Sequence, residues 1–245
     1  VNVALQNNNA KQNSNNTISL ENGSISIEST HQQVNLDNVS LTSELINGSR
    51  DLKFEYIKDS SVDSQSVIIL LNHNTANGIT NVDIIFKNIN MTEFMAGINF
   101  KSYENFYDGN LSGRLNLNFN KLGRIIDSTL DLNIGAGSFE VDLPYSKQDI
   151  HNIEDAYFSV SYISSEEQVD INEIQIKHDD FSVKTKGVIQ LNYDGSGKIS
   201  TFDANLSGLS LFKSGQQIVN NGNVIVNVDP ANNEINFQKL DGDLS

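Results

Sequence analysis

The chain has 245 residues, no cysteine, and a net charge of -15 from 31 acidic and 16 basic residues. That balance excludes a basic, phosphate-tracking nucleic-acid interface and electrostatic attraction to an anionic membrane surface. The missing thiols exclude disulfides and thiolate sites.

A hydrophobic content of 38% is low for a compact globule, yet the apolar residues are too regularly spaced for disorder. The longest apolar run, Val67 to Leu71, is strand-sized and far short of the ~18 residues of a membrane helix. Val1 and Leu244-Ser245 read as cut ends, so a fragment of a longer protein is expected.

Taken in order, Val1 to Leu5 alternates weakly and Asn7 to Asn16 reads as a polar loop. Ile18 and Leu20 lead to Glu21-Asn22-Gly23, which predicts a hairpin turn into Ile25 and Ile27. Val34, Leu36, Val39 and Leu41 predict a strand or pair, with a bulge or turn at Asp37-Asn38. Leu52, Phe54 and Tyr56 follow, then Val67 to Leu71, then Val82, Ile84 and Phe86. After Phe86 the apolar phase changes to Ile89 and Met91. Asn90 to Ala96, with Asn90 as cap and Glu93 three residues on, is the best helix candidate.

The clearest pattern runs from Tyr107 to Leu143. Leu111, Leu115, Leu117 and Phe119 alternate with Ser112, Arg114, Asn116, Asn118 and Asn120. Side chains on a strand point to opposite faces in turn, so one face is apolar and one is wet. Lys121 to Arg124 turns the chain into Leu130, Leu132 and Ile134. Gly135-Ala136-Gly137 breaks that run before Phe139, Val141 and Leu143. Three such strands joined by short turns predict an antiparallel meander.

Pro144 then interrupts pairing, and Ser146 to Glu154 reads as a helical turn or loop. Ala156, Phe158, Val160 and Tyr162 predict a strand, with Glu166-Glu167 in a turn. The phase slip between Ile171 and Ile174 predicts a bulge at Asn172-Glu173. Asp179-Asp180 makes a tight connection to Phe181, Val183, Ile189 and Leu191. Asp194 to Gly197 turns the chain into Phe202, Ala204 and Leu206, then Leu209 and Leu211. Asn220-Asn221-Gly222 leads into Val224, Val226 and Val228, and Pro230 precedes Ile235 and Phe237.

Two stretches echo each other. Val82 to Met91 and Phe202 to Leu211 share three alternate apolar residues, an Asp and a phase change at the same place. Asp108-Gly109-Asn110-Leu111-Ser112 is echoed by Asp241-Gly242-Asp243-Leu244-Ser245. The order suggests a degenerate repeat, too long for a β-helix rung or a propeller blade.

No residue pattern names a reaction. His31, His73, His151 and His178 are scattered, with no helical metal-ligand spacing. Gly195 to Lys198 lacks the full phosphate-loop spacing and a following helix, and Gly135-Ala136-Gly137 lacks the third glycine of a dinucleotide fingerprint. Asn192 to Gly195 lacks the bidentate acid of a calcium loop. No enzyme activity, catalytic residue, metal site or cofactor is therefore expected. The apolar faces fit either a closed sandwich or barrel core or an open groove. Two prolines and no tryptophan are few for a sandwich.

The stretch from Tyr107 to Leu143 and the strands after it resemble the AsmA-like proteins, especially the large YhdP-type members of bacterial envelopes. The resemblance rests on Asp108 to Leu117, on Gly135 to Phe139 before a strand ending at Leu143-Pro144, and on Val169 to Ile176 with Phe181 to Leu191 and Phe202 to Leu211. It covers about two-thirds of the chain through short motifs. The family's N-terminal membrane helix is missing from this sequence.

The alternation predicts an all-β fold with one or two short helical turns, and the resemblance implies that its long twisted antiparallel sheet is curled into an open apolar groove. Residues 1–245 would be a single continuous segment with a degenerate repeat boundary near 100–110. It further implies bridge-like transfer of phospholipid between inner and outer membranes. The protein would lie in the bacterial periplasm, tethered to the inner membrane by a segment not present here. Leu115, Leu117, Phe119, Leu130, Leu132 and Ile134 would line the groove. Phe158, Val160, Phe181, Val183, Ile189 and Leu191 would continue the lining. The rival expectation is a structural or adhesive cell-surface β-protein with a closed core.

Overall fold

A computed structural model describes residues 2–6, 10–12, 17–28, 33–58, 64–90, 108–141, 149–178, 181–229 and 234–244. The protein is all-β: its strands make one long antiparallel sheet that does not close into a barrel, beside a separate two-stranded sheet. The chain divides into two compact units. One holds Val1–Ile125 and Gly137–Ile150, the other Ile126–Ala136 and His151–Ser245.

In the first unit the strands are β1 (Asn2–Gln6), β2 (Ala10–Gln12), β3 (Thr17–Glu28), β4 (Gln33–Ile46), β5 (Ser49–Ile57), β6 (Ser66–Asn74), β7 (Ile79–Asn90) and β8 (Asn110–Phe119). From β3 to β8 the strands pair antiparallel in chain order. The register places apolar residues opposite apolar residues all the way across. Leu20, Leu41, Phe54, Ile69, Ile84 and Leu115 form one cross-strand row. Beside it run Leu52, Leu71, Val82 and Leu117. A one-residue slip would turn every one of these side chains to water, which is why the alternation fixes the pairing.

The second unit is built on β9 (Ile125–Ile134), β12 (Asp155–Ile163), β13 (Gln168–His178), β14 (Phe181–Tyr193), β15 (Ile199–Lys213), β16 (Gln216–Asp229) and β17 (Glu234–Leu244). These pair antiparallel in that order. Leu130, Val160, Ile171, Gly187, Leu206 and Val224 form a row, and Ile134, Ala156, Ile176, Val183 and Leu211 another.

The predicted meander is corrected here. β10 (Gly137–Val141), which holds Phe139 and Val141, pairs with β11 (Asp149–Ile153) in the small sheet, and β12 takes the place beside β9. Gly135 ends β9, and Asp108 then fastens the departing chain. Its carboxylate accepts hydrogen bonds from Ser138 N at 2.5 Å and Ser138 Oγ at 3.0 Å, while its own N–H donates to Ser138 O. These bonds, the backbone one first, hold the Asp108 carboxyl below the usual carboxylate range.

The expected helical turns also change. Residues 149–153 are strand, and no helix occurs among the described residues. Asn90 closes β7, and the rest of the Asn90 to Ala96 candidate lies outside the described residues, as do the Asp179-Asp180 connection and most of the expected repeat boundary near 100–110, of which only residues 108–110 are described.

Glu21-Asn22-Gly23 is a bulge inside β3 rather than a hairpin. Asn22 has φ +52°, but β3 runs on through it and stays paired with β4 on both sides, Leu20 opposite Leu41 and Gly23 opposite Val39, with the register shifted between them. Asn38 bulges β4 opposite it, Asn88 bulges β7, and Asn221 bulges β16, all at φ between +52° and +58°. The true tight hairpins use Asn47-Gly48 and Ser214-Gly215, where both residues are left-handed. The expected bulge at Asn172-Glu173 is present: Ile171 and Ile174 face Val160 and Phe158, and the register jumps between them. The echoed phase changes after Phe86 and Leu206 are bulges too, at Asn88 and Gly208, which hold matching places in the two stretches.

Candidate functional site

The distinctive feature of both units is an apolar sheet face whose side chains, among the described residues, are mostly incompletely buried. Among the described residues, Leu20, Val39, Leu111, Ala156 and Ile171 are the only large or aliphatic apolar side chains that are buried. Phe54, Ile69, Ile84 and Leu115 in the first unit, and Leu132, Phe158, Ile189 and Leu206 in the second, are only half-buried. In a sandwich the facing sheet would take the centres of such rows out of water. Here each side chain is covered mainly by its neighbours along and across the strands. Such cross-strand pairs contribute roughly 0.2–1 kcal/mol each.

The expected lining residues fall on these faces. In the first unit Leu115, Leu117 and Phe119 of β8 stand opposite Ile84, Val82 and Thr80 of β7. In the second, Leu130, Leu132 and Ile134 of β9 stand opposite Val160, Phe158 and Ala156 of β12. Val183 and Ile189 of β14 stand opposite Ile176 and Val169 of β13, and Leu191 and Phe181 share their face by the two-residue period. The same faces hold residues outside the expected lining. Leu41, Phe54, Ile69 and Ile84 extend the first, and Ile174, Phe202, Leu206 and Val224 the second. Their alternation was the available signal.

The opposite faces are largely polar, with Ile68, Leu70 and Ile85 as apolar exceptions in the first unit, and are stitched by polar side chains. Arg114 donates from Nε and Nη2 to the two carboxylate oxygens of buried Asp83, both at 2.7 Å. Asn81 donates to Asn116 and Asn118 across the same strands. In the second unit, Asp203 accepts from Asn227 at 2.7 Å and Asn192 at 2.9 Å. These two bonds, Asn227 first, hold its carboxyl below the usual carboxylate range.

A carboxylate lowered in the folded state stabilises the fold above its unfolded pKa of about 4 and loses that contribution as pH falls through the lowered value. The urea midpoint should therefore fall on acidification below about pH 4. It should fall less for Asp203→Asn, which has no such proton to take up. Urea titrations of both proteins at neutral and acid pH check this.

No groups of three or more metal-ligating side chains occur among the described residues. Gly195 to Lys198 folds as a turn closed on Asp194, whose carboxylate accepts from Ser196 N, Ser196 Oγ and Lys198 N. Those bonds, the Ser196 hydroxyl first, lower the Asp194 pKa. His73 Nδ1 bonds Thr80 Oγ1 at 2.8 Å. At one margin of the second unit's apolar face, Lys213 Nζ lies 5.4 Å from the centre of the Phe181 ring.

What this arrangement can do chemically is offer hydrocarbon-compatible surface. A one-sided sheet must lay its apolar face against something, and large exposed apolar patches mark interaction sites. Comparison with protein-family models, with curated proteins and with solved structures finds no match to this chain.

Proposed function

We propose that this chain is a segment of a bridge-like lipid-transfer protein that carries phospholipid acyl chains along its apolar sheet faces. The observation that carries the reading is the incomplete burial of the central apolar rows: Leu41 to Leu115 in one unit, and Leu130, Val160, Leu206 and Val224 around buried Ile171 in the other. A closed-core adhesive protein would bury those side chains. The rows are aliphatic and aromatic and hold few polar groups, so they suit acyl chains.

Bulges bend strands and increase their twist. The series at Asn22, Asn38 and Asn88, and at Gly208 and Asn221, supports a curled, trough-like face within each unit. The resemblance to AsmA-like proteins supplies the setting: the bacterial periplasm, between two membranes, with an inner-membrane tether outside this sequence.

The test is lipid extraction and mass spectrometry of the chain purified from bacteria without detergent. The expected result is stoichiometric co-purifying phospholipid, removable by a vesicle acceptor. Material free of lipid that also fails to take up fluorescent phospholipid from vesicles would count against the proposal.

A further inference from the structure

The apolar face of the first unit excludes charge with one exception. Along β3 to β8 the face is mostly Leu, Ile, Val, Phe and Tyr, and Glu44, Asp51, Glu55 and Asp83 fall on the wet face. Arg50 is the only charged residue on the apolar face among the described residues of these strands. It stands opposite His73, which stands opposite Thr80. Its Nη1 donates to Ser43 Oγ at 3.1 Å, and Ser43 shares the same face. In a chain with 31 acids, a guanidinium, an imidazole and two hydroxyls thus gather where no carboxylate shares the face. They lie at the margin marked by the Asn47-Gly48 turn, directly beside the apolar row of Leu52, Leu71 and Val82.

We infer that Arg50, with Ser43, His73 and Thr80, binds the head-group phosphate of a lipid whose acyl chains lie on the neighbouring apolar rows; this rests on the lipid-binding reading above. A guanidinium presents paired N–H donors in a planar fork that matches phosphate oxygens; the Ser43 hydroxyl adds a donor, and the hydrogen-bonded pair of His73 and Thr80 adds one more. A phosphate here meets no carboxylate on its own face, while its acyl chains continue inward from Leu52. The competing explanation for a marginal Arg is that its aliphatic stem covers apolar surface while the head stays in water. That arrangement discriminates nothing between lipids.

The experiment titrates the purified chain with dioctanoyl phosphatidic acid and, separately, with dioctanoylglycerol, which has the same acyl chains and no phosphate. Binding at the site is read from the ring NMR signals of His73. The expected result is about tenfold tighter binding of phosphatidic acid, the scale of one charge-assisted hydrogen-bonded contact. R50Q should bring the two affinities within about twofold of each other with dioctanoylglycerol unchanged, and R50K should restore part of the preference. An undiminished preference in R50Q overturns the inference. Equal binding of both lipids by the natural chain overturns it too but leaves the lipid-binding reading intact, whereas binding of neither lipid defeats that reading itself. Saturable movement of the His73 signals by inorganic phosphate alone, at the affinity seen for phosphatidic acid, would assign the site to free phosphate and overturn the lipid assignment.

Discussion

Leu132→Asp should stop phospholipid transfer while the protein stays folded. Leu132 stands opposite Phe158 on the apolar face of the second unit and is half-buried, so a carboxylate there can reach water in the empty protein. The expected loss of stability is about 1–2 kcal/mol. An acyl chain crossing the same position would have to strip water from the charge. An acidic residue in a hydrocarbon environment costs about 3 kcal/mol, on the order of a hundredfold in rate. Leu117→Asp should act in the same way in the first unit. Thr129→Asp, on the exposed wet side of the same strand, should leave transfer unchanged. Transfer of a fluorescent phospholipid between donor and acceptor vesicles, with circular dichroism melting alongside, separates the cases. If Leu132→Asp unfolds the chain, the position is core. If transfer proceeds at the natural rate, the face is not the path.

The largest effect on stability is expected from Gly187→Ala. A β-carbon on Gly187 would lie 2.2 Å from the backbone oxygen of Asn205 and 2.9 Å from the α-carbon of Leu206. Both obstacles are backbone of the paired strand, so no side chain can rotate away, and β14 and β15 must separate. Gly187 also stands between buried Ile171 and Leu206 in the cross-strand row, so the apolar face is disturbed with the ladder. The expected loss is about 3 kcal/mol, the upper end for overpacking. Gly195→Ala, where nothing lies within 4 Å, should change stability by less than about 0.5 kcal/mol. Urea denaturation of the two variants checks the contrast, and equal midpoints would contradict the close approach of these strands.

Much of the apolar surface was legible from alternation. Leu115, Leu117 and Phe119, or Phe158 and Val160, declare which side of a strand they occupy whatever the strand pairs with, because the two-residue period belongs to the strand alone. The phase slip at Asn172-Glu173 was legible for the same reason: an extra residue must shift the period. The Asn47-Gly48 and Ser214-Gly215 hairpins carried an equally local signal that the alternation reading passed over. Arg50 and His73 gave no local warning. A single basic residue in a strand means little until the register shows which residues share its face and that no carboxylate is among them.

Local sequence by itself determined most of the strands, their two-sidedness and most of the places where the pattern breaks, but not the short β2 and β11, which carry no clear alternation. Tertiary structure alone decided what each break becomes. Asn22-Gly23 and Asn47-Gly48 present the same pair of residue types, yet one bulges a continuous strand and the other reverses the chain. A left-handed Asn satisfies either geometry, and the choice rests on the conformation of the following glycine, set by which strand supplies the next hydrogen bonds. It also decided that β12, not β10, lies beside β9, since partner choice depends on matching Leu130, Leu132 and Ile134 to a distant strand rather than to the next one.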